Sequence, residues 1–195
     1  MRLIRSGRGA RGFTLLELMV VVVIVAILSS LAIPAFRTWI ANAKVRSSTE
    51  SLVSQIRLAQ AEAVKRYRRV VLYRAAAGAC AAAPNAVDGG GTWVIKTIAL
   101  YTGDQEEVVR CTNFADSGAN IGDGPTALCF GTNGWPAAVA NPNIGGMACA
   151  VPVTSYTVTQ TGGDRRLSVQ IGLGGTVRMC DLDKALSNAN PDGCP

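Results

Sequence analysis

GFTLLELMVVVVIVAILSSLAIPAF, residues 12 to 36, decides how the rest of the chain is read. From Leu18 to Phe36 it carries no charge. As a helix at ~1.5 Å per residue those residues reach ~28 Å, close to the hydrocarbon thickness of a bilayer. One membrane span is the plain reading. Ahead of it stand Arg2, Arg5, Arg8 and Arg11 with no acid among them. A basic leader of this kind stays cytoplasmic, so everything beyond Phe36 is expected on the far side of the membrane.

Glu17 is out of keeping with its surroundings. A carboxylate at the centre of a spanning helix costs roughly 2.5–3.5 kcal/mol on insertion scales, and intramembrane acids commonly mark a functional contact. It therefore calls for a cation. If the chain is cut between Gly12 and Phe13, the new α-amino group of Phe13 lies one helical turn from Glu17, and either the same chain or a neighbour can supply it. The competing reading is an ordinary signal peptide cleaved after Ser30-Leu31-Ala32, to which an early acid is a poor fit.

Composition narrows the chemistry. The chain has 195 residues, 19 Lys and Arg, 13 Asp and Glu, a formal charge of +6 and no histidine. Without imidazole there is no Ser-His-Asp or Cys-His pair, no HExxH zinc site and no histidine general base. Four of the basic residues sit in the leader, so the remainder is nearly neutral and the basic pI says little about nucleic acid. A hydrophobic content of 49% with 16% charge is too apolar for a disordered chain. No enzyme, cofactor or metal is expected.

Pro34 falls inside the apolar run and should kink or locally melt the helix rather than end it. Beyond it Val45, Thr49, Leu52, Ile56, Ala59 and Ala63 recur at spacings of four and three, one face of an amphipathic helix. The other faces carry Lys44, Arg46, Ser47, Glu50, Arg57, Glu62 and Lys65. Helical periodicity stops near Tyr67. Residues 69–74, 92–98, 107–111, 127–131, 153–160, 165–171 and 176–180 then read as strands from their β-branched and aromatic content. Asp88-Gly89-Gly90-Gly91, Thr102-Gly103-Asp104, Asn133-Gly134 and Gly162-Gly163-Asp164 read as the turns between them. Residues 75–87 stay open between a loop and a short helix. Neither Gly89-Gly90-Gly91 nor Gly172-Leu173-Gly174-Gly175 opens a helical segment, so hairpin turns explain them better than a phosphate cradle. The run Lys65, Arg66, Arg68 and Arg69 is expected to be solvated, near a helix end where cations suit the dipole.

Six cysteines, Cys80, Cys111, Cys129, Cys149, Cys180 and Cys194, all follow residue 79. No pair has CxxC spacing, so disulfides in an oxidising compartment are expected rather than zinc or dithiol redox chemistry. Asn190-Pro191-Asp192-Gly193 is a turn that would bring Cys194 back toward Cys180. That bond would pin the C-terminal tail and contribute ~3 kcal/mol. Cys80 with Cys111 and Cys129 with Cys149 follow only from nearness in sequence.

Gly12 followed by Phe13-Thr14-Leu15-Leu16-Glu17, an apolar stretch and Pro34 resembles the class III leader of type IV pilins and pseudopilins. A second likeness is more local. Leu58-Ala59-Gln60-Ala61-Glu62-Ala63-Val64-Lys65-Arg66 running into Val70-Val71-Leu72 is similar to the signature of the GspH/FimT family, as are Arg166-Leu167-Ser168-Val169 and Gly174-Gly175-Thr176-Val177-Arg178-Met179-Cys180. The resemblance implies cleavage after Gly12 by a prepilin peptidase, N-methylation of Phe13 and packing of the apolar helix into a filament core, with Glu17 neutralising the amino terminus of an adjacent subunit. It implies an α+β pilin-like fold, a long N-terminal helix packed on a β-rich head of antiparallel strands in two sheets. The expected divisions are a leader (1–12), a transmembrane or filament-core helix (13–36), an amphipathic helix (37–67) and a disulfide-containing head (68–195). Expected partners are other pilins or pseudopilins, the prepilin peptidase and assembly platform, and the inner membrane, with the head in the periplasm before it joins a pilus or pseudopilus.

Some FimT-like relatives receive incoming DNA through C-terminal basic residues in a Gly-Arg-x-Arg pattern. Here the matching stretch is Gly175-Thr176-Val177-Arg178, with threonine at the first arginine position. Arg165, Arg166, Arg178 and Lys184 are the candidate DNA contacts, diluted by Asp164, Asp181, Asp183 and Asp192. Because phosphate recognition needs clustered cations, solvated charges at strand ends are the better expectation. A minor pilin of a type IV pilus, acting in assembly initiation, is the leading reading. A type II secretion pseudopilin and a DNA-binding pilin are the alternatives.

Overall fold

A computed structural model describes residues 12–80, 83–149 and 154–195. The expectations for residues 1–11 and for Val153 lie outside these described residues. Two compact units are present, Met1–Arg37 and Thr38–Pro195. Helix α1 covers Leu15–Arg66. It runs on through Pro34 with no melted turn, against the expectation of local melting. Proline removes only one intrahelical donor, and that single loss is tolerated here.

In the second unit, α1 buries Ala41, Val45, Thr49, Leu52, Ile56, Ala59 and Ala63, the stripe read from periodicity with Ala41 added at its start, and beside them Ser48, Gln55 and Glu62. Nine strands follow. They are β1 (Val70–Ala75), β2 (Thr92–Thr97), β3 (Val108–Asn113), β4 (Ala119–Gly122), β5 (Ala127–Phe130), β6 (Thr154–Gln160), β7 (Leu167–Ile171), β8 (Val177–Ala185) and β9 (Gly193–Cys194). One sheet has the order β3-β2-β1-β5 and the other β4-β6-β7-β8-β9. All pairings are antiparallel except β8 with β9, which is parallel. That exception departs from the expected antiparallel head. The tail after Ala185 loops back and re-enters beside the strand it has just left, so Gly193 faces Asp181 and Cys194 faces Ala185. Only glycine fits at 193, since a Cβ there would lie 2.6 Å from the carbonyl carbon of Ala185.

Sheet β3-β2-β1-β5 is apolar on both faces, with the period of two that strands impose. Val70, Leu72, Trp93 and Ile95 join the α1 stripe and the inward residues Tyr156, Val158, Leu167, Val169 and Ile171 of the second sheet. Val71, Tyr73, Ala75 and Val94 point the other way, onto Val139, Ile144 and Cys149 of the segment between β5 and β6. Trp93 is the hub of the inner layer, with Tyr156 and Phe114 edge-on at 5.2 and 6.3 Å between ring centroids.

Five of the seven expected strands lie within a residue or so of their anticipated bounds. The β7 reading loses Arg165 and Arg166, while the β8 reading extends by five residues to Ala185. Strands β4 and β9 were not anticipated, being short and without an alternating pattern. The described part of residues 75–87 contains no helix, only a bridge from Ala75 to Ala86. Each of the four expected turns contains a glycine in the left-handed region, Gly89, Gly103, Gly134 and Gly162.

Glu62 is a correction. Expected on a solvent face, it is buried and bonds Arg66 Nε at 2.6 Å. The helix ends in a Schellman arrangement, with Arg68 N–H donating to Ala63 O and Tyr67 N–H to Val64 O. The left-handed residue this motif needs is Tyr67, at φ 49° and 79% exposed, where glycine is the usual occupant. A non-glycine residue in that well costs roughly 1–3 kcal/mol. Tyr67→Gly should therefore raise stability by about 1 kcal/mol, its exposed ring giving up little packing, whereas Tyr67→Val should lower it. Urea denaturation of the detergent-solubilised chain reads both.

Candidate functional site

The first candidate is the start of α1. Thr14 is its cap: Thr14 Oγ1 accepts the Glu17 N–H at 3.2 Å, and Thr14 O accepts the first helical bond from Leu18. Thr14-Leu15-Leu16-Glu17 thus has the spacing of a capping box, with Glu17 at its third helical position. A negative charge there also meets the positive end of the helix dipole, worth about 0.3–1 kcal/mol. That is too little to offset the cost of bringing an unpaired carboxylate into hydrocarbon. Among the described residues no cation pairs with Glu17.

The apolar turns that follow are exposed. Phe13 is 83% exposed, and Leu18, Val21, Ile24, Leu28 and Leu31 are each at least half exposed. An 18-residue window in this helix has a mean hydropathy of 2.8. By length and composition this helix can cross a membrane, and its side chains are left for lipid or other helices to bury.

The second candidate is the charged C-terminal surface. Arg165 Nε donates to Asp181 Oδ2 at 3.0 Å, Arg166 Nε to Asp183 Oδ1 at 3.0 Å, and Lys184 Nζ to Asp192 Oδ2 at 2.7 Å. Arg178 donates to the main-chain oxygens of Pro191 and Gly193, both at 3.3 Å. It is the one of the four without a carboxylate partner among the described residues. The structure gathers the four cations on one sheet edge with their acids interleaved, which knits the tail together. Sequence alone gave these side chains to water; the folded register of β7, β8 and the tail brings the opposite charges into contact.

In the run at the helix end Lys65 and Arg69 are exposed, as expected, while Arg66 and Arg68 depart from the solvated expectation. Arg66 bonds both Glu62 and Glu107, and Arg68 bonds Asp104, the latter two side chains being mostly buried. Asp104 and Glu107 belong to the β2–β3 connection, which sequence spacing does not place there.

Three disulfides join Cys80 to Cys111, Cys129 to Cys149 and Cys180 to Cys194. Two further contacts that no motif signalled hold α1 to the head. Asn42 Oδ1 accepts the N–H groups of Asp164 and Arg165, and Gln60 Nε2 donates to Gly175 O at 2.7 Å. Both are single amides on a helix flank, without a pattern to find them by.

With this geometry in hand, the chain can be set beside known proteins. The family described as Type II transport protein GspH matches residues 48–181. The chain belongs to this family. The prokaryotic N-terminal methylation motif matches residues 7–33. No curated protein sequence matches the chain. Two crystal structures of the type IV minor pilin FimU of Pseudomonas aeruginosa PAO1 are similar to it at 18% identity. One, with a TM-score of 0.47, covers 71% of this chain and 89% of that one; the other, at 0.45, covers 69% and 90%. This GspH-family chain carries the N-terminal methylation motif, and its fold joins one long N-terminal helix to a two-sheet head. Its family is structural and implies assembly with other pilins in a filament.

Acid should loosen the head of this GspH-family chain. The bond from Arg66 holds the Glu62 carboxyl below its ordinary value, as Arg166 does for Asp183 and Lys184 for Asp192. Groups with depressed folded values bind fewer protons when folded than unfolded. Their contribution is present above the ordinary carboxylate range and lost as pH falls through the folded values. The urea midpoint should hold near neutrality and fall between about pH 5 and about pH 3. An unchanged midpoint across that window would contradict the pairing. With Arg165, Arg166 and Lys184 paired, Arg178 alone makes no cationic cluster, and duplex DNA titrated at low salt should show no salt-sensitive binding that Arg178→Ala removes.

Proposed function

We propose that this chain is a minor pilin, a structural subunit inserted in the inner membrane through its apolar helix, cut between Gly12 and Phe13, methylated on Phe13 and built into a type IV pilus. On this reading residues 1–12 are the leader, 13–36 the transmembrane and filament-core segment, 37–67 the amphipathic helix and 68–195 the head, held in the periplasm until assembly. The observation that carries it is a carboxylate, Glu17, that has no cation partner among the described residues, at the head of a helix whose apolar side chains are exposed. Removing the leader creates an α-amino group one turn away, and a filament supplies that group from each neighbour.

The mechanism is assembly. Leaving the bilayer exposes the apolar turns of α1, and packing against helices of other subunits buries them again. Glu17 adds register, because it is satisfied only where a cation sits at one axial position. The prepilin peptidase and the assembly platform are the partners this requires. A minor-subunit role, with initiation of the filament as its task, is in keeping with the resemblance of residues 58–72 to the GspH/FimT family, to which minor pilins and the minor pseudopilin both belong. Three disulfides suit a head that ends outside the cell.

The family's description favours a second reading, a minor pseudopilin of type II secretion, in which the same helix chemistry builds a periplasmic filament. Subunits copurifying with the cross-linked chain separate the two. For either reading, Glu17→Ala should leave folding and membrane insertion unchanged while lowering incorporation severalfold. Quantifying the subunit in sheared or pulled-down filaments tests this, and a normal level in the variant would remove Glu17 from assembly.

A further inference from the structure

Lys96 lies on β2 and is 2% exposed, the most deeply buried cation among the described residues. It sits on the outer face of its sheet, in register with Val71 and between Val94 and Ile98. The pairing of β2 with β3 slips between Ile95 and Lys96, and such a bulge re-aims the side chain beside it. Two groups meet its Nζ. Glu106 Oε2, from the β2–β3 connection, lies at 2.9 Å, and the main-chain oxygen of Asn143 lies at 2.6 Å. The Asn143 side-chain Nδ2 donates to that same Glu106 Oε2, at 2.8 Å. An amine and a carboxamide are therefore held against one carboxylate oxygen.

We propose that Lys96 and Asn143 form an intramolecular amide, with Glu106 moving the protons. Lys96 ammonium first passes one proton to the Glu106 carboxylate, giving a neutral amine and a neutral acid. Within a buried pair this exchange removes two charges from low dielectric. The Nζ lone pair attacks Cγ of Asn143. Glu106 gives its proton to Nδ2 and takes one from Nζ. The Cγ–Nδ2 bond breaks, ammonia leaves and captures the proton that Glu106 has received, and the carboxylate is restored. One C–N bond forms and one breaks; nothing is oxidised or reduced.

Positioning of two reactants against one oxygen raises their effective concentration once Nζ passes from the Asn143 main-chain oxygen to Cγ. Glu106 is ionised at rest: burial raises its carboxyl, but the bonds from Lys96 and Asn143 outweigh that and leave it below its ordinary value. It starts as the proton acceptor, and those same bonds make the transfer from Lys96 the barrier of the step. Asn143 sits in the left-handed region at φ 55°, its N–H given to Asn141 Oδ1, so its amide is turned to Glu106 while its exposed edge gives ammonia a way out.

The position also has a structural logic. Each disulfide ties a strand to a segment with few ladder bonds: β3 to the loop at Cys80, β5 to the loop at Cys149, and β8 to the tail at Cys194. Strand β2 has no such tie, and Lys96 meets the middle of the loop that Cys129–Cys149 closes. The amide would complete the set.

Mass spectrometry of the full chain, purified in detergent and reduced, decides the matter. The wild type should be lighter than its sequence and known processing require by one ammonia. Trypsin should yield residues 75–110 joined to 111–165 as one branched peptide, because linked Lys96 is not cleaved. Lys96→Arg should restore the full mass and the separate peptides. Asn143→Asp should give the same product mass as the wild type, with water leaving in place of ammonia. A wild-type digest containing free peptide 75–96 and unlinked 111–165 would overturn the proposal. An undiminished cross-link in Glu106→Gln would overturn the role given to Glu106.

Discussion

A sheet that is apolar on both faces has to be covered twice. Every residue of β1 is buried, Val70 and Leu72 to one side, Val71, Tyr73 and Ala75 to the other. On the inner side the cover is regular: the stripe of α1 from Ala41 to Ala63 and the facing strands of the second sheet. On the outer side it is a segment with few ladder bonds, residues 131–149, that offers Val139, Ile144 and Cys149. The inner cover is a helix whose own hydrogen bonds are complete, so burying it costs little polar desolvation. The outer cover has no such advantage, and it is there that bridges, the Cys129–Cys149 bond and the buried Lys96 accumulate.

The inner half of this arrangement was legible in sequence, because helical and strand periods are strong signals over segments of this length. The stripe from Val45 to Ala63, the β-branched and aromatic content of residues 69–74 and the glycine turns are all local patterns. The outer half was not. Nothing in Asn141-Pro142-Asn143 announces a cover, and a lysine between Val94 and Ile98 reads as an outward strand position until a loop closes over it. The charged residues follow the same division. Glu62 sits at a flank position of the helical wheel and looks solvated. Its burial depends on Arg66 and on Glu107 across the β2–β3 connection, and no local rule brings that connection to the helix end.

Among the candidate functional residues, the apolar run headed by Glu17 was legible and the pairing on the C-terminal surface was not. A long uncharged run with one acid at its head is a composition signal, and composition survives without any knowledge of the fold. The surface of Arg165, Arg166, Arg178 and Lys184 is a matter of register. Counting charges along the tail gives near neutrality, but only the pairing of β7 with β8 and the return of the tail decide which acid meets which cation. Asp181 is the centre of that exchange, nearly buried and in reach of both Arg165 and Lys184. Cations committed in this way already have their counterions, so releasing phosphate-bound ions from DNA would return little free energy unless the acids moved aside.

The covalent ties belong to the same physical problem. On the proposed reading the head leaves the membrane and is carried outside the cell, where no chaperone restores a loop that has lifted from its sheet. A segment held only by side-chain packing opens locally at a fraction of the global unfolding free energy. A cross-link restricts that opening through the chain it closes, and the three disulfides enclose separations of 31, 20 and 14 residues. Each is of the length for which closure is worth about 3 kcal/mol or slightly more. All three act on segments that helix and sheet leave unsupported, and none joins two neighbouring strands that a full ladder already holds. From Ala41 to Ala63 the helix needs no such tie to the head, since its buried stripe, Asn42 and Gln60 hold it there. Regular structure in this head is held by hydrogen bonds and burial, and irregular structure by covalent bonds.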